Sequence, residues 1–171
     1  FERNKVSASN LRELQLEDSS LTDSAFSMSN LLEFTATGST LRRWELAASS
    51  AHELTVKGQC LVDGFELRAS SMKEALLDGA TIEGLAIKES SLRELTMRGG
   101  AWRRSFVQWA SLREVRFAAA TLEDVRILSC QLRDFRVEDS TLRTVLLQAL
   151  PMNGCSWRHC AFDDVHFTAG D

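Results

Sequence analysis

Residues 90–97 read SSLRELTM, and residues 110–117 read ASLREVRF. Each stretch puts large apolar residues at its third, sixth and last positions: Leu92, Leu95 and Met97, then Leu112, Val115 and Phe117. Leu92 and Met97 are five residues apart, as are Leu112 and Phe117, and this step runs through most of the chain. Upstream it gives Val6, Leu11, Leu16, Leu21, Phe26 and Leu31, lapses at Ala36, and continues through Leu41, Leu46, Ala51, Val56 and Leu61. There it slips by one residue. It resumes at Leu67, Met72, Leu77, Ile82 and Ile87 and persists to Met152, Trp157, Phe162 and Phe167.

A five-residue step is neither the helical nor the strand period. On an α-helix it rotates about 500° per step and smears apolar residues around the cylinder. On a flat strand it alternates them between faces. A path that turns a corner every five residues keeps them all inside, which is the mark of a solenoid. Two residues before each central residue stands a second inward position, alternately small and large: Ser90, Leu95, Gly100, then Ala110, Val115, Ala120, Val125, Cys130, Phe135. The unit is therefore ten residues, and two units make a four-sided coil.

On these residues the chain resembles the pentapeptide-repeat family over roughly residues 4–169. The resemblance implies an all-β fold, a right-handed quadrilateral β-helix of about eight coils. It departs from the family's preference for Ala at the second inward position, where Leu, Val, Phe or Trp alternates here, as at Trp44 and Phe65. A leucine-rich repeat is the competing fold, since Leu11, Leu14 and Leu16 fit L-x-x-L-x-L. That motif recurs every ten residues here, and a horseshoe repeat needs 20 or more.

The 171 residues fit one domain, 1–171, with a single proline, Pro151, and no Gly/Ser linker. The chain starts at Phe1 without Met and almost in register, which points to a segment excised from a longer protein. There is no bilayer-length apolar run and no signal-peptide pattern. The net charge of −4 argues against a nucleic-acid footprint. Cys130, Cys155 and Cys160 read as inward structural thiols and Cys60 as outward, a usage that suits the cytoplasm or, for an effector, a target cell's cytosol.

Residues 20 apart should stack at about 4.8 Å. One extra residue must be absorbed near 62–65, with Gly64 the natural bulge residue of Asp63-Gly64-Phe65. Stacking yields one acidic column (Glu13, Glu33, Glu53, Glu74, Glu94, Glu114, Asp134) beside a mostly basic one (Arg12, His52, Lys73, Arg93, Arg113, Arg133). A solvated charge lattice is the plain reading of this strip, and a docking strip for a partner is the functional one. The neighbouring arginines argue against a calcium ladder. A third column alternates in sign through Glu83, Arg103, Glu123, Arg143 and Asp163, and a parallel one holds Asp23, Arg43, Asp63, Arg104 and Asp124. Gly38, Gly58, Gly79 and Gly99 should stack at a corner that needs φ > 0.

On the fourth face Phe106, Trp109, Leu128 and Leu146 point outward around Arg126, with Met28 further down. Aromatics with Arg are typical of interface hot spots. They are the candidate surface for a protein partner or for self-association. The last coil, with Trp157, Phe162 and Phe167, should close its end or pack on a twin subunit. His52, His159 and His166 lie on different faces or coils, and no catalytic, metal or cofactor fingerprint is present. The expected function is a non-catalytic protein-interaction scaffold, such as the repeat segment of a bacterial effector or accessory protein. The family also implies a DNA-mimicking gyrase binder as an alternative, and a structural spacer is a third.

Overall fold

The structure, a computed structural model, describes residues 5–169, without the side chains of 149, 150 and 169. Residues 1–4 and 170–171 of the expected domain lie outside the described residues. One sheet of 21 strands winds continuously, and every strand pairing is parallel. No helix occurs among the described residues. Partners stand 20 residues apart: Met72 pairs with Leu92, Leu92 with Leu112, and Leu112 with Leu132. The chain thus returns over itself once per coil, and the backbone polar groups of one coil are satisfied by the next. Ser91 N–H, for example, donates to the Ser70 carbonyl at 3.0 Å, and Ser111 N–H to that of Ser90 at 3.0 Å.

The apolar code fills the interior as expected. In one coil Leu112, Phe117, Leu122 and Ile127 are buried, and so are Ala110, Val115, Ala120 and Val125 two residues before them. Small and large second positions alternate from side to side, so each coil pairs a thin side with a thick one. The lapse at Ala36 is repaired from the thick sides. Phe34 stacks on Trp44 at 5.1 Å, Trp44 stacks on Phe65 at 4.8 Å, and Phe26 meets Trp44 edge-on at 6.0 Å. Such contacts contribute about 0.5–1.5 kcal/mol each beyond burial.

The small inward positions do more than make room. Ser49 Oγ accepts the Ser29 N–H at 3.1 Å from the coil below and donates to the Ala47 carbonyl at 2.8 Å. Ser70 Oγ repeats this, accepting from Ser49 N–H at 3.0 Å and donating to Arg68 at 2.6 Å. Each hydroxyl therefore staples its own turn to the neighbouring coil.

Cys60 takes the same role, and here the structure corrects the sequence reading. Its Sγ accepts the Ser39 N–H at 3.2 Å, and the residue is buried, not outward. The extra residue is absorbed at Gly58-Gln59, before Leu61, and not near 62–65. Thr37 still pairs with Lys57, whereas Leu41 pairs with Val62. Val62 is the buried central residue, and Leu61 is turned partly outward. Gly64 is an ordinary corner residue with φ of 70°. Asp63 accordingly leaves the Asp23–Arg43 column, where Gly64 stacks over Arg43, and pairs with Arg42 instead. The physical reason is that Cys60 satisfies the inward staple and Val62 the core, while Gly58 and Gln59 are solvent-exposed and free to carry the surplus. Replacing Cys60 with Ser should keep the melting temperature within a few degrees, because serine already fills this role at Ser39, Ser49 and Ser70. Cys60→Val removes the acceptor and leaves the Ser39 N–H unpaired, at a cost of about 1–3 kcal/mol, read by denaturant titration.

Candidate interaction surface

The fourth-face patch is built by three paired strand segments. Phe106 pairs with Arg126 and Arg126 with Leu146, so these three form one outward column. Gln108, Leu128 and Gln148 form the next. Their neighbours Val107, Ile127 and Leu147 are buried, and strict alternation along each strand then forces these side chains out. Trp109 stands at the adjoining corner, tied by its N–H to the Leu128 carbonyl at 3.3 Å. It is the most exposed of the apolar members, at 58%. Phe106, Leu128 and Leu146 are half-buried, because stacked neighbours 4.8 Å away cover their flanks. Arg126 is exposed and forms no ion pair among the described residues. A shallow groove lined by Arg104, Phe106, Asp124 and Arg126 opens beside it, and Trp109 borders a longer one lined by Ser71, Ser91, Ser111 and Gln131. Met28 is exposed in the same corner column as Trp109 but four coils away, about 19 Å, and does not belong to the patch.

From Lys73 onward the charged strip is a row of closed pairs. Arg93 Nε lies 2.9 Å from Glu94, Arg113 Nε 2.9 Å from Glu114, and Arg133 Nε 3.8 Å from Asp134. Lys73 Nζ lies 2.5 Å from Glu74. The hydrogen bond between these two holds the Lys73 ammonium above its ordinary pKa and the Glu74 carboxyl below its own. The alternating column is likewise paired: Arg103 reaches Glu123 at 3.2 Å, and Arg143 reaches Glu123 at 3.8 Å and Asp163 at 3.3 Å. Arg43 pairs with Asp23, and Arg104 with Glu83. Each exposed pair contributes roughly 0–1 kcal/mol, so together they fix register more than stability.

The three histidines each face a carboxylate. His159 Nδ1 is 3.3 Å from Asp139, and His166 Nε2 is 3.2 Å from Asp164. His52 lies between Glu53 and Glu74, and this group is the one of the described residues whose donor atoms gather as metal ligands do.

The backbone carries the clearest signature. Glu74, Gly79, Gly84, Glu89, Glu94, Gly99, Arg104 and Trp109 all have φ between 49° and 69°, one left-handed corner in every five residues and four to a coil. The acidic column is thus a corner and not a face, since Glu94 and Glu114 have φ of 59° and 56°. The chain is a four-sided parallel β-solenoid built on a five-residue repeat.

No protein-family profile and no curated protein sequence matches it. Among solved structures, it is similar to HetL, a pentapeptide repeat protein involved in heterocyst differentiation regulation from the cyanobacterium Nostoc sp. strain PCC 7120. The identity is 16%, over 96% of this chain and 89% of that one, with a TM-score of 0.30. Full-length QnrB1, a plasmid-mediated fluoroquinolone resistance protein, is 10% identical over 96% and 94%, with a TM-score of 0.36. The A-module of the Azotobacter vinelandii mannuronan C-5 epimerase AlgE4 is 10% identical over 99% and 73%, with a TM-score of 0.46. The assignment of this solenoid rests on its own register and corners.

The end of the solenoid differs from one expectation. Trp157 and Phe167 meet at 5.1 Å and Phe162 and Phe167 at 6.1 Å, but Phe162 and Phe167 are 50% and 44% exposed. They cluster without closing the coil, because no further described coil lies over them. Gly38, Gly58, Gly79 and Gly99 stack at one corner as expected, each with positive φ.

Proposed function

We propose that this solenoid is a non-catalytic scaffold that binds a protein partner through the fourth-face patch. The observation that carries the reading is Trp109, a large ring held in the open at a rigid corner beside Phe106, Leu128, Leu146 and the exposed Arg126. A preformed surface loses little entropy on binding, and buried aromatic and Arg anchors carry most interface energy. The setting proposed is a bacterial effector or accessory protein, with this segment working in a cytosol. The exposed Phe162 and Phe167 support self-association through the last coil as a second surface. The gyrase-binding reading has less support, because arginines accompany Glu94, Glu114 and Asp134 and blunt any DNA-like negative face. A supercoiling assay with gyrase that shows no effect of added protein agrees with the scaffold reading.

The double change Phe106→Ser with Trp109→Ser should leave the melting temperature nearly unchanged. It should weaken partner capture or self-association by about thirtyfold or more, equivalent to at least 2 kcal/mol. Unchanged capture with normal melting would transfer the role to the charged strip of Glu74, Glu94, Glu114 and Asp134 with Arg93, Arg113 and Arg133.

A further inference from the structure

The charged strip is balanced in its later coils and unbalanced in the middle. Arg93, Arg113 and Arg133 each face the acid that follows them. In the earlier coils the basic position is held by Leu32 and then His52, next to Glu33 and Glu53. Glu33, Glu53 and Glu74 stack on one corner, with Lys73 as the full positive charge beside them. With a neutral imidazole, this stretch carries an excess of about two negative charges.

His52 sits within that excess in an arrangement that asks for a cation. Its Nδ1 is 3.3 Å from Glu53 Oε1, and its Nε2 is 3.4 Å from Glu74 Oε1. A neutral imidazole has a single N–H. If Nδ1–H donates to Glu53, Nε2 turns a lone pair toward the Glu74 carboxylate, and either a second proton on the ring or a metal cation at Nε2 reconciles the two. The Lys73 ammonium now stands there, 2.5 Å from Glu74 Oε1 but 3.5 Å from Nε2, too long for a good hydrogen bond. One ligand atom from each of His52, Glu53 and Glu74 lies within 4.8 Å of the others.

We propose that His52, Glu53 and Glu74 form a site for a divalent transition metal such as Zn²⁺, which displaces the Lys73 ammonium. His52 Nε2 and the Glu74 carboxylate are the protein ligands, and water completes the shell. Glu53 holds the imidazole through Nδ1–H, the carboxylate–histidine–metal arrangement that fixes tautomer and ring orientation. Imidazole with carboxylate selects zinc, nickel or copper over calcium and magnesium. The two positive charges offset the local excess. The same position is Lys73 in the next coil and Arg93 and Arg113 beyond it, none of which ligates as a cation, so the site is confined to one level of the solenoid. His52 and Glu74 are partly exposed and Glu53 is exposed, so water can reach the site to complete the shell. The inference is independent of the partner-binding patch.

The test is titration calorimetry with zinc chloride on the chain without a histidine tag. Cys155→Ser and Cys160→Ser are built in throughout, since those thiols are half-exposed and would bind zinc themselves. One Zn²⁺ per chain should bind at micromolar concentration. His52→Ala should weaken binding at least tenfold, and Lys73→Met should tighten it severalfold by removing the competing ammonium. Arg93→Met, one coil on, should change little. His52→Gln backs up His52→Ala should the latter melt early. The proposal is overturned if no binding appears below millimolar zinc, if both His52 variants bind as the parent does, or if Lys73→Met fails to tighten binding.

Discussion

Leu112→Asp should yield no soluble folded protein, whereas Arg113→Ala next to it should melt within a few degrees of wild type. Leu112 is 1% exposed and stacks between Leu92 and Leu132 in the interior. The substitution forfeits about 1.5–3 kcal/mol of burial. It also places a carboxylate among apolar side chains with no cation in reach, which costs several kcal/mol more unless the group takes up a proton. A solenoid feels such a loss on both sides, since each coil is the template for the next. Arg113 by contrast is exposed and pairs only with Glu114, an interaction worth about 0–1 kcal/mol. Urea titrations and the soluble yield of the two variants measure the difference. Equal effects would mean that the inward–outward order of this coil is wrong.

The second large effect comes from one methyl group. Gly99 and Gly100 both adopt positive φ, at 61° and 70°, and turn the chain in just ahead of the buried Trp102. A Cβ on Gly100 would fall 2.9 Å from the carbonyl carbon of Ala80 and 3.0 Å from its nitrogen, and closer still to its oxygen. These are backbone atoms of the coil below, held by the Ala101 N–H bond to the Ala80 carbonyl at 3.1 Å, and cannot move aside. On Gly99 the nearest such atom, Gly79 Cα, is 4.0 Å away. Gly99→Ala therefore carries only the left-handed strain of about 1–2 kcal/mol, which alanine already bears at Ala48, Ala69 and Ala119. Gly100→Ala adds a separation of two coils to that strain. It should cost at least about 3 kcal/mol and lower the melting temperature far more than Gly99→Ala. Similar melting of the two variants would contradict the close approach.

The fold was legible in the sequence because one inward side chain in five is a requirement that few architectures share. Leu92, Met97, Leu112 and Phe117 announce it within 26 residues, and the alternation of Ala110 and Ala120 with Val115 and Val125 gives the coil its two thicknesses. The slip was harder to place, since Leu61 and Val62 are both apolar and either continues the series. Cys60 held the signal that decides: it matches Ser39 and Ala80 as a small inward residue, and a thiol can accept the same N–H that a serine does. The left-handed corners were not legible beyond the glycines. Glu94, Arg104 and Trp109 have no intrinsic preference for φ > 0, and they adopt it because hydrogen bonds to the adjacent coils hold the turn. In the patch, outward direction was readable from Val107, Ile127 and Leu147. The half-burial of Phe106 and Leu146 was not, because it depends on Arg126 lying between them.

The stacked coil, with one extra residue at Gly58-Gln59, is what turns Phe106, Trp109 and Arg126 to solvent and everything beneath them inward. Through-space contacts between backbone protons, measured by nuclear magnetic resonance on labelled protein, test it most directly. Contacts should link Thr35 with Thr55, Leu41 with Val62, Leu46 with Leu67, and Phe106 with Arg126. A pairing of Leu41 with Leu61, or the absence of contacts between residues one coil apart, would contradict it.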